Sequence, residues 1–334
     1  MEVLFPLEKL QKIVYSQFSA VGLSEQHAKT AADIYIRATL RGVGHHDIND
    51  IMGRLRALKR KKINPCPEIT KIAGTGAIEA YDGDNGLGEI CSWYVTRRSM
   101  ELAQSHGIGF CTIRNSNHFL SPAPFNEMAD EQGFLTIVMS KAPFGMSLPG
   151  AAKNLIGNNP FGFAATHPNG KLLLDICLAY SSYGKMGQKA KDGERVPEYW
   201  GNDSSGKPTT DPTEILKSGL HMPIAVHKGF GIAMLIEILT AVLSGGAILN
   251  QNKKETGLPG VYSQTAISID ISKLMEPNEY SGRIKEMCDI LKGLFPDIYL
   301  PGQRSEKIKK EILSSGMIRI DAELLKKLQH NDLS

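Results

Sequence analysis

Residues 225–246 read AVHKGFGIAMLIEILTAVLSGG, a short turn followed by the longest apolar run in the chain. Gly229-Phe230-Gly231 is a G-x-G step at a helix start, but position 234 is Met. The glycine that would complete G-x-G-x-x-G, after a strand and before a helix, is therefore absent. Gly107-Ile108-Gly109 fails the same test. The usual Rossmann fingerprint is excluded, although backbone N–H groups at this helix start, beside Lys228, would suit a pyrophosphate. The apolar run at 230–243 is interrupted by Glu237 and is shorter than the ~20 residues a membrane span needs, so it reads as a buried core helix.

Working outward, the pattern upstream alternates between short apolar runs and helical periods. Strands are expected near 77–81, 109–113, 134–139, 161–166 and 172–175, and helices at 89–105 and 124–132. After the apolar helix, TAISIDI at 265–271 reads as another strand. This alternation specifies an α/β core. The first sixty residues are helical in pattern: Leu7, Leu10, Ile13, Val14 and Phe18 recur at helical spacing, and Ser24 caps a second helix that Gly42 ends. A third, basic helix follows His46, and its charge run reads as a solvated face. The polar stretch 185–212 is too long for an idle connector and reads as a functional or disordered loop. The last fifty residues return to helix.

Composition limits the function classes. Among 334 residues, 38 Lys+Arg face 35 Asp+Glu, a net charge of +3, which argues against a nucleic-acid surface or a polybasic membrane anchor. Five dispersed cysteines with no C-x-x-C pair fit reduced thiols in the cytoplasm. The N-terminal sequence has neither a basic n-region nor a long apolar h-region, so no signal peptide is expected. There is no Walker A sequence, no G-x-S-x-G elbow and no H-E-x-x-H.

What remains is a set of polar residues among small ones. His45-His46-Asp47, with Asp50 four residues after His46, lies where the second helix hands over to the third. A histidine there can exchange protons near neutral pH, and His46 and Asp50 share one helical face, which also admits a two-ligand metal reading. The alternative is a solvated cap. Asn115-Ser116-Asn117-His118-Phe119 follows an apolar strand, where α/β proteins carry binding loops; a structural histidine is the alternative. Gly157-Asn158-Asn159-Pro160 is a turn between strands, and Leu174-Asp175 ends a strand.

In order, RGVGHHD (41–47), RNSNHF (114–119), GNNPFGFA (157–164), LLLDICLAYSSYGK (172–185), GERVPEYWGNDSSGKPTTDP (193–212), the 227–246 segment and LPGQR (300–304) resemble the type-2 malate/L-lactate dehydrogenase family. That group includes ureidoglycolate and sulfolactate dehydrogenases, 2,3-diketo-L-gulonate reductase and cyclic imino-acid reductases. The resemblance spans nearly the whole chain. It implies a non-Rossmann, NAD(P)-binding α/β fold with a mixed sheet and a helical part built from both termini. Residues 1–70 with 277–334 would form the helical domain, and 71–276 the cofactor-binding domain. It further implies a homodimer acting on a small-molecule substrate, with NAD or NADP as cofactor and no metal.

By the same resemblance, His46 exchanges a proton with the substrate oxygen, and His118 lies near nicotinamide and substrate. His45, Asn159, Pro160, Leu174, Asp175, Ile176, Cys177, His227, Lys228, Gly229, Gly302, Gln303 and Arg304 fall on cofactor-binding segments. The departures concern the substrate. Relatives carry Ser before the catalytic histidine, Gly after it, and often an Arg four residues on that suits a carboxylate; here those positions hold His45, Asp47 and Asp50. Leu120-Ser121-Pro122-Ala123-Pro124 also stands where relatives have glycines. Either another cation (Lys141, Arg54 or Lys153) meets a substrate carboxylate, or the substrate is a keto-sugar, polyol or cyclic imine that Asp50 selects. Two competing functions are a metal-dependent hydrolase built on His45, His46, Asp47 and Asp50, and a catalytically silent dinucleotide-binding sensor.

Overall fold

A computed structural model describes residues 1–143, 145–249 and 260–333. Its largest element is a seven-stranded sheet. In spatial order the strands are Thr70–Thr75, Ile78–Asp82, Ile108–Ser116, Tyr262–Asp270, Phe134–Lys141, Phe161–His167 and Gly170–Ile176. Ile78–Asp82 and Ile108–Ser116 run parallel, and the other neighbouring pairs are antiparallel. A Rossmann sheet is parallel throughout its nucleotide-binding half, so this mixed α/β sheet agrees with the failed glycine fingerprint. The late strand Tyr262–Asp270 lies between two strands formed much earlier in the chain, which ties the C-terminal half into the sheet's centre.

The helices follow from their apolar spacing. In Leu7–Ala20, Leu10, Val14 and Phe18 are buried on one face. Ser24 Oγ accepts the His27 N–H at 3.2 Å and starts Glu25–Leu40. Strands at the two ends of the chain, Glu2–Pro6 and Met317–Asp321, pair antiparallel. Their core joins Leu10, Phe18 and Tyr35 to Leu328, and continues into Ile90 and Ile113 at the large sheet. Pro277–Leu294 packs Ile284, Cys288 and Leu291 on Ala165 and Leu172 of the sheet's far edge. No helix among the described residues is long and apolar enough to cross a membrane.

Two expectations need correction. The apolar run is not a buried core helix within this chain. It forms His227–Glu237 and a π turn at Ile238–Val242, and only one side, including Ala233, Ile236 and Ala241, is buried. Leu235, Ile238, Val242 and Leu243 are about half exposed. Hydropathy alone reports a helix that is apolar all round; it does not report which face this chain covers. The 185–212 stretch is likewise not an irregular loop. It contributes to Tyr183–Lys191, Glu198–Trp200 and Gly201–Asn202, and Met186, Val196 and Ile215 form a small core of their own. Its apolar residues are too sparse for a periodic signal, yet Met186 and Val196 meet each other and Ile215 just beyond it.

Candidate active site

A cavity of about 790 Å³ opens where four segments converge: the turn after Glu25–Leu40, the start of Ala123–Asp130, the edge strand Gly170–Ile176 and the start of Gln303–Ser315. His45, His46 and His118 line it together. The His46 ring centroid lies 5.0 Å from that of His45 and 4.9 Å from that of His118. His46 itself has φ +55°, a left-handed conformation that a non-glycine residue adopts at a cost of ~1–3 kcal/mol. The turn is held by Asp47, whose carboxylate accepts the N–H groups of Gly44 at 3.0 Å and Asn49 at 2.9 Å. Asp47 is thus a cap whose oxygens are engaged within its own turn.

The two central imidazoles are held differently. His46 Nδ1 lies 3.1 Å from Asp50 Oδ2. Burial raises the Asp50 carboxyl, but the hydrogen bond and charge of His46, aided by Arg54, hold it below its ordinary range. Asp50 is then an ionised acceptor, and Nδ1 of His46 carries the proton. At His118 the polarity is reversed. Arg54 Nη2 donates to His118 Nδ1, and the Leu120 N–H donates to the same nitrogen at 3.1 Å. Since neither donor can accept, Nδ1 is bare and the neutral ring carries its proton on Nε2. Burial, then the Arg54 charge and His46, push His118 well below its usual range. His45 is fixed by a 3.0 Å contact from Nε2 to Ser182 Oγ; burial, then neighbouring His46, lower its pKa.

His118 is located by a close approach. Gly88, the first residue of the helix Gly88–His106, lies against the next loop: a Cβ there would be 2.1 Å from the Asn117 carbonyl oxygen and 2.3 Å from that of His118. Only glycine permits the helix to start there.

On the opposite wall, the two-residue period of the edge strand sorts the predicted residues. Leu173, Asp175 and Cys177 line the cavity, whereas Leu174 and Ile176 are not among its lining residues. Asp175 is exposed to the cavity, and the protein around it raises its carboxyl despite a Ser121 hydrogen bond and the Ala123 N–H. Pro160, Gly302 and Arg304 also line the cavity. Gly302 has φ +84°, and a Cβ on it would lie 2.7 Å from Leu173 Cβ and 2.9 Å from the Leu173 nitrogen.

Other predicted residues lie behind this wall or apart from it. Gln303 Oε1 accepts the Leu300 N–H at 3.2 Å. Asn159 is a buried clamp: Oδ1 accepts from Ala142 N at 2.9 Å, and Nδ2 donates to Ala233 O at 2.9 Å and Glu237 Oε2 at 3.1 Å. His227 and Lys228 are exposed at their helix start and do not line the cavity; Gly229 is buried there. Lys141 is fully buried and donates to Val261 O at 2.9 Å, while its strand neighbours Ser140 and Ala142 face the cavity. Burial pushes the Lys141 ammonium down to about 8. Lys153 is exposed and also lies outside the lining.

Sequence reasoning missed Arg41, Ser182, Tyr183 and Tyr299 at the cavity. Arg41 could have been found, since it begins the RGVGHHD motif. It is buried against Glu127, to which Nε donates at 2.9 Å, and it also pairs with Glu306. No group of three or more His, Cys, Asp or Glu among the described residues is arranged to hold a metal ion.

A family profile described as malate/L-lactate dehydrogenase matches residues 5–329. L-sulfolactate dehydrogenase of Methanocaldococcus jannaschii is 30% identical over 309 residues, covering 90% of this chain and 89% of that protein. Malate dehydrogenase of Pyrococcus abyssi is 28% identical over 318 residues, covering 90% of this chain and 87% of its own length. The solved structure of the Methanocaldococcus jannaschii sulfolactate dehydrogenase superposes with a TM-score of 0.89 at 27% identity, covering 99% and 97% of the two chains. Mixed sheet, ordered motifs and end-to-end match agree: the chain is an oxidoreductase that belongs to the malate/L-lactate dehydrogenase family.

Proposed function

We propose that the chain is an NAD(P)-dependent dehydrogenase that transfers a hydride between nicotinamide and C2 of a small 2-hydroxy or 2-keto acid, or a close analogue, with His46 as acid/base. The observation that carries this reading is the His46–Asp50 contact at the cavity wall. With Nδ1–H held by a carboxylate, Nε2 is the nitrogen left to exchange a proton with substrate. On reduction the doubly protonated ring gives its Nε2 proton to the nascent alkoxide and is left neutral; on oxidation the bare Nε2 takes the hydroxyl proton and the ring becomes cationic. His118, with Nδ1 engaged, offers Nε2–H to the same oxygen.

The cavity fits a dinucleotide in size and in donor set. Its volume lies within the range of cofactor clefts, and it presents the Asp175 carboxylate and the Arg304 guanidinium on facing segments. Asp175, Cys177, Pro160, Gly302 and Arg304 would hold the cofactor, with Asn159, Leu174, Ile176 and Gln303 setting the wall behind them. His45 would border the nicotinamide end, and the His227–Gly229 helix start is a further candidate contact. When bound, nicotinamide supplies or accepts the hydride. The half-exposed face of Leu235, Ile238 and Val242 supports a homodimer, because a contiguous apolar stripe of this kind is covered in most soluble proteins. Five unpaired thiols support a reducing, cytoplasmic setting.

One observation favours a second reading of the substrate. Among the described residues, Arg41 and Arg304 are the Arg and Lys side chains that line the cavity, and Arg41 is already paired with two carboxylates. Beside the imidazoles, Arg54 is engaged by His118. A keto-sugar, polyol or cyclic imine would need no carboxylate clamp there.

Fluorescence titration with NADH and NADPH tests the function. Saturable binding of either is expected, and no binding at millimolar concentration would overturn it. A silent sensor would bind but turn nothing over. Screening 2-keto acids, keto-sugars and cyclic imines against the bound cofactor then separates the two substrate readings.

A further inference from the structure

Behind His118 lies a buried charge pair that the proposed reaction does not use. Glu89 is the second residue of Gly88–His106 and is fully buried. Its Oε1 lies 3.4 Å from Arg54 Nε, and the buried Tyr35 is a further neighbour of the same carboxylate. Burial raises the Glu89 carboxyl, with Arg54 opposing that shift. Arg54 is itself recessed and contacts His118 from the side away from the cavity. One helix start therefore reaches His118 twice. Gly88 abuts the His118 backbone, and Glu89 holds the guanidinium that meets its ring.

We propose that the Arg54–Glu89 pair is a positioning device that, together with the Leu120 N–H, locks His118 as the neutral Nε2–H tautomer, making it a fixed hydrogen-bond donor beside the proton-exchanging His46. The role of the pair rests on the dehydrogenase reading, whereas the tautomer lock stands on geometry alone. A guanidinium at Nδ1 disfavours the imidazolium by repulsion and fixes which nitrogen keeps the proton. The charged and titratable groups around the ring are consistent with that. Arg54 meets it from Ile51–Lys59, His46 from the preceding turn, and Tyr262 edge-on from the central strand at 5.7 Å between centroids. Glu89, Tyr35 and Asp50 act on Arg54, Asp50 from its contact with His46. The carboxylates thus reach His118 through Arg54, and the ring gains no acceptor at Nδ1.

The test is nitrogen-15 histidine NMR on the full chain, with kinetics in parallel. Wild-type His118 is expected to show a protonated Nε2 and a bare Nδ1, unchanged across the neutral pH range. The double variant R54M/E89Q removes both charges together and leaves neither one unpaired. In it the Nδ1 resonance should shift and the ring should protonate more readily, the Leu120 N–H alone now holding Nδ1 of the neutral ring, with kcat lower by roughly 10- to 100-fold and NADH affinity retained. R54K keeps the charge but loses the planar fork; it should recover part of kcat, and it carries the test if the double variant does not fold. A wild-type His118 protonated on Nδ1, or titrating near neutrality, would overturn the assignment. So would unshifted Nδ1 resonances in both variants. Failure of the dehydrogenase reading is seen separately, as absent NADH binding with the wild-type histidine spectrum intact.

Discussion

Replacing Asp50 by Asn tests whether this carboxylate serves His46 or the substrate. The Nδ1–Oδ2 distance is 3.1 Å, and both side chains are 34% exposed. Two unit charges at that separation attract by ~5 kcal/mol at an effective dielectric of about 20 and by ~1.3 kcal/mol in bulk water. Partial exposure and screening favour the lower end, so about 1–2 kcal/mol is the expected direct loss of transition-state stabilisation, near tenfold in rate. The tautomer adds to this. An Asn amide can donate to Nδ1 and move the ring proton to Nε2, which removes the acceptor from the cavity side. General acid/base catalysis contributes ~10²–10⁴-fold, so kcat of D50N should fall by about 10²-fold.

Steady-state turnover in both directions, with NADH affinity measured by fluorescence, is the assay. D50A provides the internal control. It removes the charge but offers no donor, so it should be less impaired than D50N. A substrate contact would behave differently: KM would rise while kcat held. If D50N kept wild-type kcat, or if D50A and D50N changed KM alone, the dyad would be refuted and Asp50 would become a specificity residue.

Three other perturbations follow from the same geometry. Gly302→Ala combines a φ of +84° with a Cβ 2.7 Å from Leu173 Cβ, and should lower unfolding free energy by about 2–4 kcal/mol, read as a lower urea midpoint; an unchanged midpoint would contradict the close packing. Glu79 is depressed to about 2, by the Arg98 hydrogen bond first and then Lys71 and Tyr81, with burial opposing. Since the folded value lies below the unfolded one, its stabilisation is complete above about pH 4.5 and is lost as pH falls towards 2. It amounts to ~3 kcal/mol, so E79Q should show a flatter acid limb in urea titrations at pH 2.5–5, and parallel limbs would rule this out. If the proposed dimer forms through the exposed apolar face, Leu235→Asp at its centre should shift sedimentation towards the single chain without altering the far-ultraviolet spectrum; an unchanged mass would refute a dimer through this face.

The parts of the fold legible in the sequence are those governed by local periodicity. The spacing of Leu10, Val14 and Phe18 fixed a helix face, and the Ser24 cap lies within one residue of its helix start. Strands at 108–116, 134–141, 161–167, 170–176 and 262–270 extend the expected runs by a few residues at most. The missing third glycine correctly excluded a Rossmann unit. The order in space was not legible: nothing local to 262–270 says that it pairs with both 108–116 and 134–141. At the cavity, the i, i+4 relation of His46 and Asp50 was visible, but not that the carboxylate would close on the ring. Lys141 could not be told from a cavity cation, because one residue of strand register decides between the cavity and the Val261 carbonyl. Glu89 was hidden altogether, since its partner lies 35 positions earlier and the approach depends on a single glycine.

Asp50 and Arg54 are themselves one helical turn apart, and the order of their charges has a consequence at the cavity. Asp50 meets the imidazole at the turn, and Arg54 the imidazole at the next loop. With an acceptor at one ring and a donor at the other, the two histidines take opposite tautomers: His46 has a bare Nε2 able to take a proton, and His118 has an Nε2–H able to give only a hydrogen bond. Exchanging the two charges would reverse both roles, leaving a cation against the ring that must carry positive charge during turnover. The carboxyl of Asp50 lies below its ordinary range, and Arg54 is raised above an already high one, although burial opposes both shifts. Neither orienting group therefore changes charge near neutral pH, and the pair keeps its polarity while, in the proposed reaction, one proton passes through His46. Because both charges are engaged by the rings, whatever charge the substrate brings to this end of the cavity has to be answered by other residues. In the proposed reaction Asp50 then acts on the substrate through the proton that His46 presents.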